Sequence, residues 1–243
     1  MKGVLSFLAS KPDSISSGKG VVMSTNRERS LIISYLAMRR LIGILGISLP
    51  FIVVIGGFAQ GESAFQGSIS GYYYTSMRDC FVGILSGVAL FLISYKGYET
   101  IDDIVANMSG MFALGMILFP TAMYSGKAVK VGMFLLDDDI SENIHLAFGT
   151  LFFLALSFNS LFLFTRRHPG VMGKEKKRRN VIYRVCGIVM ILAIVCITAY
   201  TIALRGSSLA AINPVLILES VALIAFGISW WVKGNTLFRD KKN

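Results

Sequence analysis

Val181-Ile-Tyr-Arg-Val-Cys-Gly-Ile-Val-Met-Ile-Leu-Ala-Ile-Val-Cys-Ile-Thr-Ala-Tyr-Thr-Ile-Ala-Leu204 carries one charged side chain, Arg184. A helix rises 1.5 Å per residue, so a run of this length crosses a hydrocarbon core of about 30 Å. Directly before it stands Lys174-Glu-Lys-Lys-Arg-Arg179. A long apolar run behind a basic cluster reads as a membrane span whose basic end faces the cytoplasm.

The whole chain fits that reading. Of its 243 residues, 54% are hydrophobic and 16% charged. An ordinary soluble domain carries about 25% charged residues. Working outward from residues 181–204, five more apolar runs emerge, at about 41–58, 80–95, 104–123, 144–165 and 215–232. The predicted fold class is therefore all-α: a polytopic membrane protein with a bundle of six transmembrane helices. Pro50 is expected to kink the first span. Pro120 near the exit of the third is tolerable where a hydroxyl such as that of Thr121 satisfies the freed carbonyl. Asp139 and Glu142 fit an N-cap and third-position pair at the start of the fourth. Gly83 and Gly87 have the spacing that lets helices approach closely, within the chain or between copies in a homo-oligomer. No internal repeat is visible, so an inverted-repeat transporter is not indicated.

The basic residues set the orientation. Of the 24 Lys and Arg, all but Arg78, Lys127, Lys130 and Arg205 fall on one side of this six-span arrangement. The positive-inside rule makes that side, and both termini, cytoplasmic. The same placement explains the net charge of +10 without nucleic acid as a partner; the cluster at 174–179 meets anionic headgroups instead. Residues 1–30 read as a flexible cytoplasmic tail and 235–243 as a second, short one. Residues 31–40, ending in Arg39 and Arg40, read as an interfacial turn or the basic foot of the first span. The apolar patch at 1–9 is too short for a signal-peptide core, and Met23 is a second candidate start. The expected location is a bacterial cytoplasmic membrane, with membrane lipids as the partners.

Unusual polar residues then gather at the outer ends of the spans. Ser68, Ser70 and Tyr72, Tyr73 and Tyr74 stand in the loop before span two, and Arg78 and Asp79 open that span. Thr121 ends span three, His145 opens span four and Glu219 lies just inside span six. A charge inside a span costs about 2.5–3.5 kcal/mol on insertion scales, so it faces the bundle interior and finds a partner. For Glu219 the expected partner is Arg78, Arg205 or His145. These ten residues are the candidate ligand site: Arg78 to hold an anionic group, Glu219 to balance it or take a proton, the tyrosines to wall it. The opposing readings are an aromatic belt for Tyr72 to Tyr74 and a local ion pair for Arg78 and Asp79.

Several chemistries lack their residues. Cys80, Cys186 and Cys196 have no metal-ligand spacing, and two histidines, His145 and His168, do not make a zinc or haem site. No lysine lies deep enough for a retinal adduct, so no metal or cofactor is predicted. A serine hydrolase assembled from Ser68 or Ser70 with His145 and Asp79 is conceivable, but the GxSxG elbow is absent. The leading expectation is binding of a lipid headgroup or small polar ligand, in a sensor, lipid-handling or transport-related role. The alternatives are an intramembrane lipid-active hydrolase using His145 with Asp79 or Glu219, and an oligomeric channel or membrane effector.

Ser-Ile-Ser-Gly-Tyr-Tyr at 68–73, Arg-Asp-Cys-Phe-Val-Gly at 78–83, Tyr-Lys-Gly-Tyr-Glu at 95–99, Leu-Phe-Pro-Thr at 118–121 and Phe-Gly-Ile-Ser-Trp-Trp-Val-Lys-Gly at 226–234 form a recurring pattern. It resembles a group of uncharacterised bacterial six-span integral membrane proteins. By topology alone the chain is also similar to the DRAM-like group of six-span eukaryotic proteins. The resemblance implies the six-span fold and no reaction. In the bacterial group a histidine often stands where Tyr74 stands here, which argues against a metal or acid–base role for the tyrosine cluster.

Overall fold

A computed structural model of the protein describes residues 18–62, 64–123, 130–166, 173–204 and 207–234. The chain divides into two compact units, Met1–Tyr35 and Leu36–Asn243. Lys127, His168, Arg205, residues 1–17 and the tail 235–243 lie outside the described residues. From Gly18 onward, the stretch read as a tail is helical.

Among the described residues, six α-helices carry the fold: α1 (Gly18–Ala59), α2 (Arg78–Ser94), α3 (Thr100–Leu118), α4 (Asp138–Phe158), α5 (Lys174–Ala199) and α6 (Pro214–Lys233). Wider π-helical turns prolong α4 over Asn159–Leu163 and α5 over Tyr200–Leu204. Among the described residues, five segments are long and apolar enough to cross a membrane: Tyr35–Ala59, Thr100–Leu118, Asp138–Leu163, Lys174–Leu204 and Pro214–Lys233. The chain thus has the build of a multi-pass membrane protein. α2 has only 17 residues, about 25 Å of helix. Large apolar side chains such as Ile55, Leu90, Met111, Phe162 and Val195 point out of the bundle, the arrangement a lipid solvent favours.

Each of α2 to α6 packs against the next in sequence. The second unit's part of α1 meets α6 through backbone-level approaches. A Cβ on Gly43 would sit 2.5 Å from Trp231 N, and one on Gly227 would sit 2.6 Å from Gly43 O. These glycines let two helices meet backbone to backbone, which no larger residue permits. Within one copy of the chain, Gly83 and Gly87 are not the close-contact points expected: a Cβ on Gly83 meets nothing within 4 Å, and one on Gly87 makes ordinary contact with Leu45. The core between the helices is aromatic, with Tyr72, Tyr95, Phe152, Tyr183, Phe226 and Trp230 almost fully enclosed.

Local chemistry moves several predicted boundaries. α3 starts at Thr100, before the predicted 104, because Glu99 and Asp102 form a capping box. Asp102 Oδ2 accepts from both Tyr98 N and Glu99 N at 3.0 Å. α3 stops at Leu118, not 123, since the residue before a proline is steered out of helical geometry and Pro120 has no N–H to continue the ladder. α4 begins at Asp138 with Asp137 as N-cap and no side-chain cap bond, so the predicted Asp139–Glu142 cap is not made. The 174–179 cluster is the first part of α5 rather than a loop, and Arg179 is buried. Arg39 is not a solvated foot: it is buried, and its Nη2 donates to Tyr95 Oη at 2.8 Å. The loop before α4 holds an unpredicted two-stranded antiparallel pairing, β1 (Lys130–Val131) with β2 (Leu136–Asp137), turned through left-handed Gly132 and Leu135.

Candidate functional site

The site begins with the frayed end of α3. The last carbonyls of any helix lack intrahelical donors. Here the proline makes one orphan certain, because Met116 O would otherwise bond the N–H of residue 120. α4 supplies the donors. His145 Nδ1 lies 3.0 Å from Met116 O and 2.8 Å from Phe119 O. One turn earlier on the same face, Ser141 Oγ donates to Pro120 O at 2.7 Å.

These contacts fix the imidazole. A carbonyl only accepts, so the proton sits on Nδ1 and the neutral ring presents a lone pair at Nε2. That nitrogen faces Ser70 Oγ at 2.9 Å, and the serine hydroxyl donates to it. Both residues are buried.

Ser70 opens a short 3-10 turn, Ser70–Tyr74. The loop carrying it is tied down at several points. Ile69 N donates to Glu219 Oε2 at 2.6 Å, and Leu216 N donates to Gly67 O at 3.1 Å. Gly71 N donates to Ser68 Oγ at 2.9 Å, and Tyr74 Oη donates to Thr121 O at 2.6 Å. Glu219 is aimed at the loop by the start of α6, where left-handed Asn213 turns the chain and Pro214 opens the helix. Among the described residues no Lys or Arg lies within ion-pair distance of Glu219. Its partner is backbone, and neither predicted partner, Arg78 or His145, bonds it directly.

Ser68, Ser70, Thr121, His145 and Glu219 line one cavity of about 220 Å³. Glu142, Asn213, Tyr200 and Thr201 complete much of its wall. It sits where α3 and the α5 π turn end and where α4 and α6 begin. Ser68 and Tyr74 also border a second cavity, of about 290 Å³, with Glu62 and Gln66.

The remaining candidates fall elsewhere. Tyr72 is enclosed, with its ring against Gly57. Burial pushes its phenol up, and also lifts that of Tyr74 to about 12, so both stay protonated at neutral pH. Burial of Tyr72 and Tyr73 replaces the aromatic-belt reading with a packing role. Arg78 and Asp79 are exposed, form no ion pair with each other and line neither cavity. Arg78 instead donates to Tyr73 Oη at 2.7 Å, its guanidinium 4.4 Å from that ring's centre. The anion-holding role expected of Arg78 in the cavity is therefore corrected.

Sequence reasoning passed over Ser141, Asn213, Tyr200 and Thr201, and read Glu142 as part of a helix cap rather than of a site. The Ser141 and His145 spacing was a usable signal, since it puts both on one helix face opposite a proline-broken end. The π turn that brings Tyr200 and Thr201 to the cavity has no such signature. The chain matches no protein-family model, no curated protein and no solved structure, so this geometry alone carries the functional argument.

Proposed function

We propose that the protein is a six-span protein of the bacterial cytoplasmic membrane, with both termini cytoplasmic and an outward-facing cavity that holds a lipid headgroup or small polar ligand. Its role in this reading is sensing, lipid handling or transport. One observation carries it: polar residues from four separate segments, Ser68 and Ser70, Thr121, His145 and Glu219, share the wall of a single cavity. Such groups are expensive to bring into a membrane bundle. A cavity that sets them beside Leu146, Ile197 and Val215 suits a polar group that carries an apolar neighbour, such as a lipid headgroup. The 17 residues of α2 reach the lower limit for crossing a bilayer. The bias of Lys and Arg supports the orientation.

Native mass spectrometry of protein extracted from bacterial membranes should find a retained lipid or small polar molecule. Val215→Trp, which fills the cavity, should abolish retention with little change in melting temperature. Retention that survives this substitution would sink the reading. Orientation has its own test in a Cys80→Ser background. An impermeant maleimide should modify Ala64→Cys in intact spheroplasts and spare Lys177→Cys; the opposite pattern inverts the topology.

A further inference from the structure

We propose that Ser70 is a nucleophile with His145 as its general base, and that the cavity performs acyl transfer from a carboxylic ester of the membrane. The inference goes beyond ligand binding while using the same cavity.

The Oγ–Nε2 separation of 2.9 Å is the reach a base needs for a hydroxyl proton. An active nucleophile also needs its base held by a third group. Met116 O and Phe119 O do this at Nδ1. They hold the tautomer that leaves Nε2 free to take the proton, and they support the imidazolium that forms. Among the described residues, other hydroxyls in the bundle meet no base: Ser141 and Ser160 reach a carbonyl and a hydroxyl of other segments. Ser109, Ser157, Thr165, Thr201 and Ser220 each bond back to a carbonyl of their own helix. Ser70 reaches a histidine 75 positions away, and both line a cavity. Ser68 is separated from this role, because its oxygen accepts from Gly71 N. Asp79, the third member considered from sequence, is exposed and takes no part.

The substrate class follows from the setting. The cavity wall mixes its polar groups with Leu146, Ile197 and Val215, and the adjoining π turn presents Ile202, 81% exposed. An ester at the boundary of headgroup and acyl chain meets both surfaces. The cavity is sized for the ester end of a lipid, not for its tails. In the first half-reaction Ser70 Oγ bonds the carbonyl carbon as its proton passes to His145 Nε2. The tetrahedral adduct collapses, the ester C–O bond breaks, and the alcohol leaves with the proton from Nε2. Water, or a second alcohol, then attacks acyl-Ser70 by the same shuttle and restores the hydroxyl.

The test treats the full chain, purified in detergent, with a fluorophosphonate and maps the adduct by peptide mass spectrometry. The expected result is an adduct on Ser70 of the folded wild-type chain, absent after prior denaturation and absent in Ser70→Ala. His145→Gln should slow labelling by about 10²-fold or more. Fatty acid released from phosphatidylglycerol vesicles identifies a lipid ester. Hydrolysis of p-nitrophenyl butyrate alone identifies a soluble one. A wild-type chain that melts cooperatively yet gives no adduct on Ser70, or labels equally when denatured, overturns the proposal. Ligand retention that remains sensitive to Val215→Trp in that case leaves the binding reading standing; loss of both removes the cavity as a site.

Discussion

His145→Ala should lower the stability of the bundle by about 3 kcal/mol or more, the largest effect of any substitution at the cavity. Three groups depend on this ring: Met116 O, Phe119 O and the Ser70 hydroxyl. Each buried polar group left without a partner costs about 1–3 kcal/mol. No backbone N–H can repair the loss at Met116 O, because the residue in register is the proline that orphaned it. For a chain of this size such a loss corresponds to a melting shift of roughly 6–12 °C. His145→Gln should be milder, since its amide can donate to one carbonyl. Thermal unfolding in detergent measures both. A melting temperature for His145→Ala within 2 °C of wild type, on the order of the scatter between neutral surface variants, would mean that the α3 end is held by something other than this ring.

Gly227→Leu should be the most damaging change away from the cavity. Its Cβ would fall 2.6 Å from Gly43 O and 2.7 Å from Ile47 N, both backbone atoms that cannot swing aside. α1 and α6 would have to separate, and the core around Phe226 and Trp230 would open with them. Overpacking of a rigid contact costs about 1–3 kcal/mol, and more where backbone is the obstacle. Gly83→Leu is the control, because nothing lies within 4 Å of a Cβ there. The expected pair of results is a chain that loses its cooperative melt at 227 and keeps it at 83. If both variants melt alike, the helix approach seen at Gly43 and Gly227 is not what holds α1. A Gly83 variant that stays folded but changes in size by light scattering would return that glycine to the role first expected of it, packing between copies.

The site was legible in its ingredients and not in its wiring. Ser70, His145 and Glu219 stand out because a polar side chain near an apolar run must be explained. Which of them meet depends on where α3 breaks and how the 67–74 loop folds. Arg78 illustrates the limit. As the strongest charge in the loop it looked like the anchor of the pocket, yet it stands exposed at the start of its helix with the guanidinium turned onto Tyr73. Pro120 illustrates the opposite. Its missing N–H was visible in the sequence, but the group that uses the freed carbonyl comes from a helix 29 positions away.

The sequence by itself determined the class of molecule. Long apolar runs, sparse charge and basic clusters at run ends impose helices suited to a bilayer, because each backbone group there must be satisfied within its own segment. The proline that ends α3 is also written in the sequence, although the apolar run taken alone carries the span past it to 123. Tertiary structure alone decided which glycines are contact points, which tyrosines are buried, and that a serine and a histidine far apart in the chain share a proton. Those outcomes depend on which helix faces meet, and a face is chosen by packing against partners that sequence periodicity does not name.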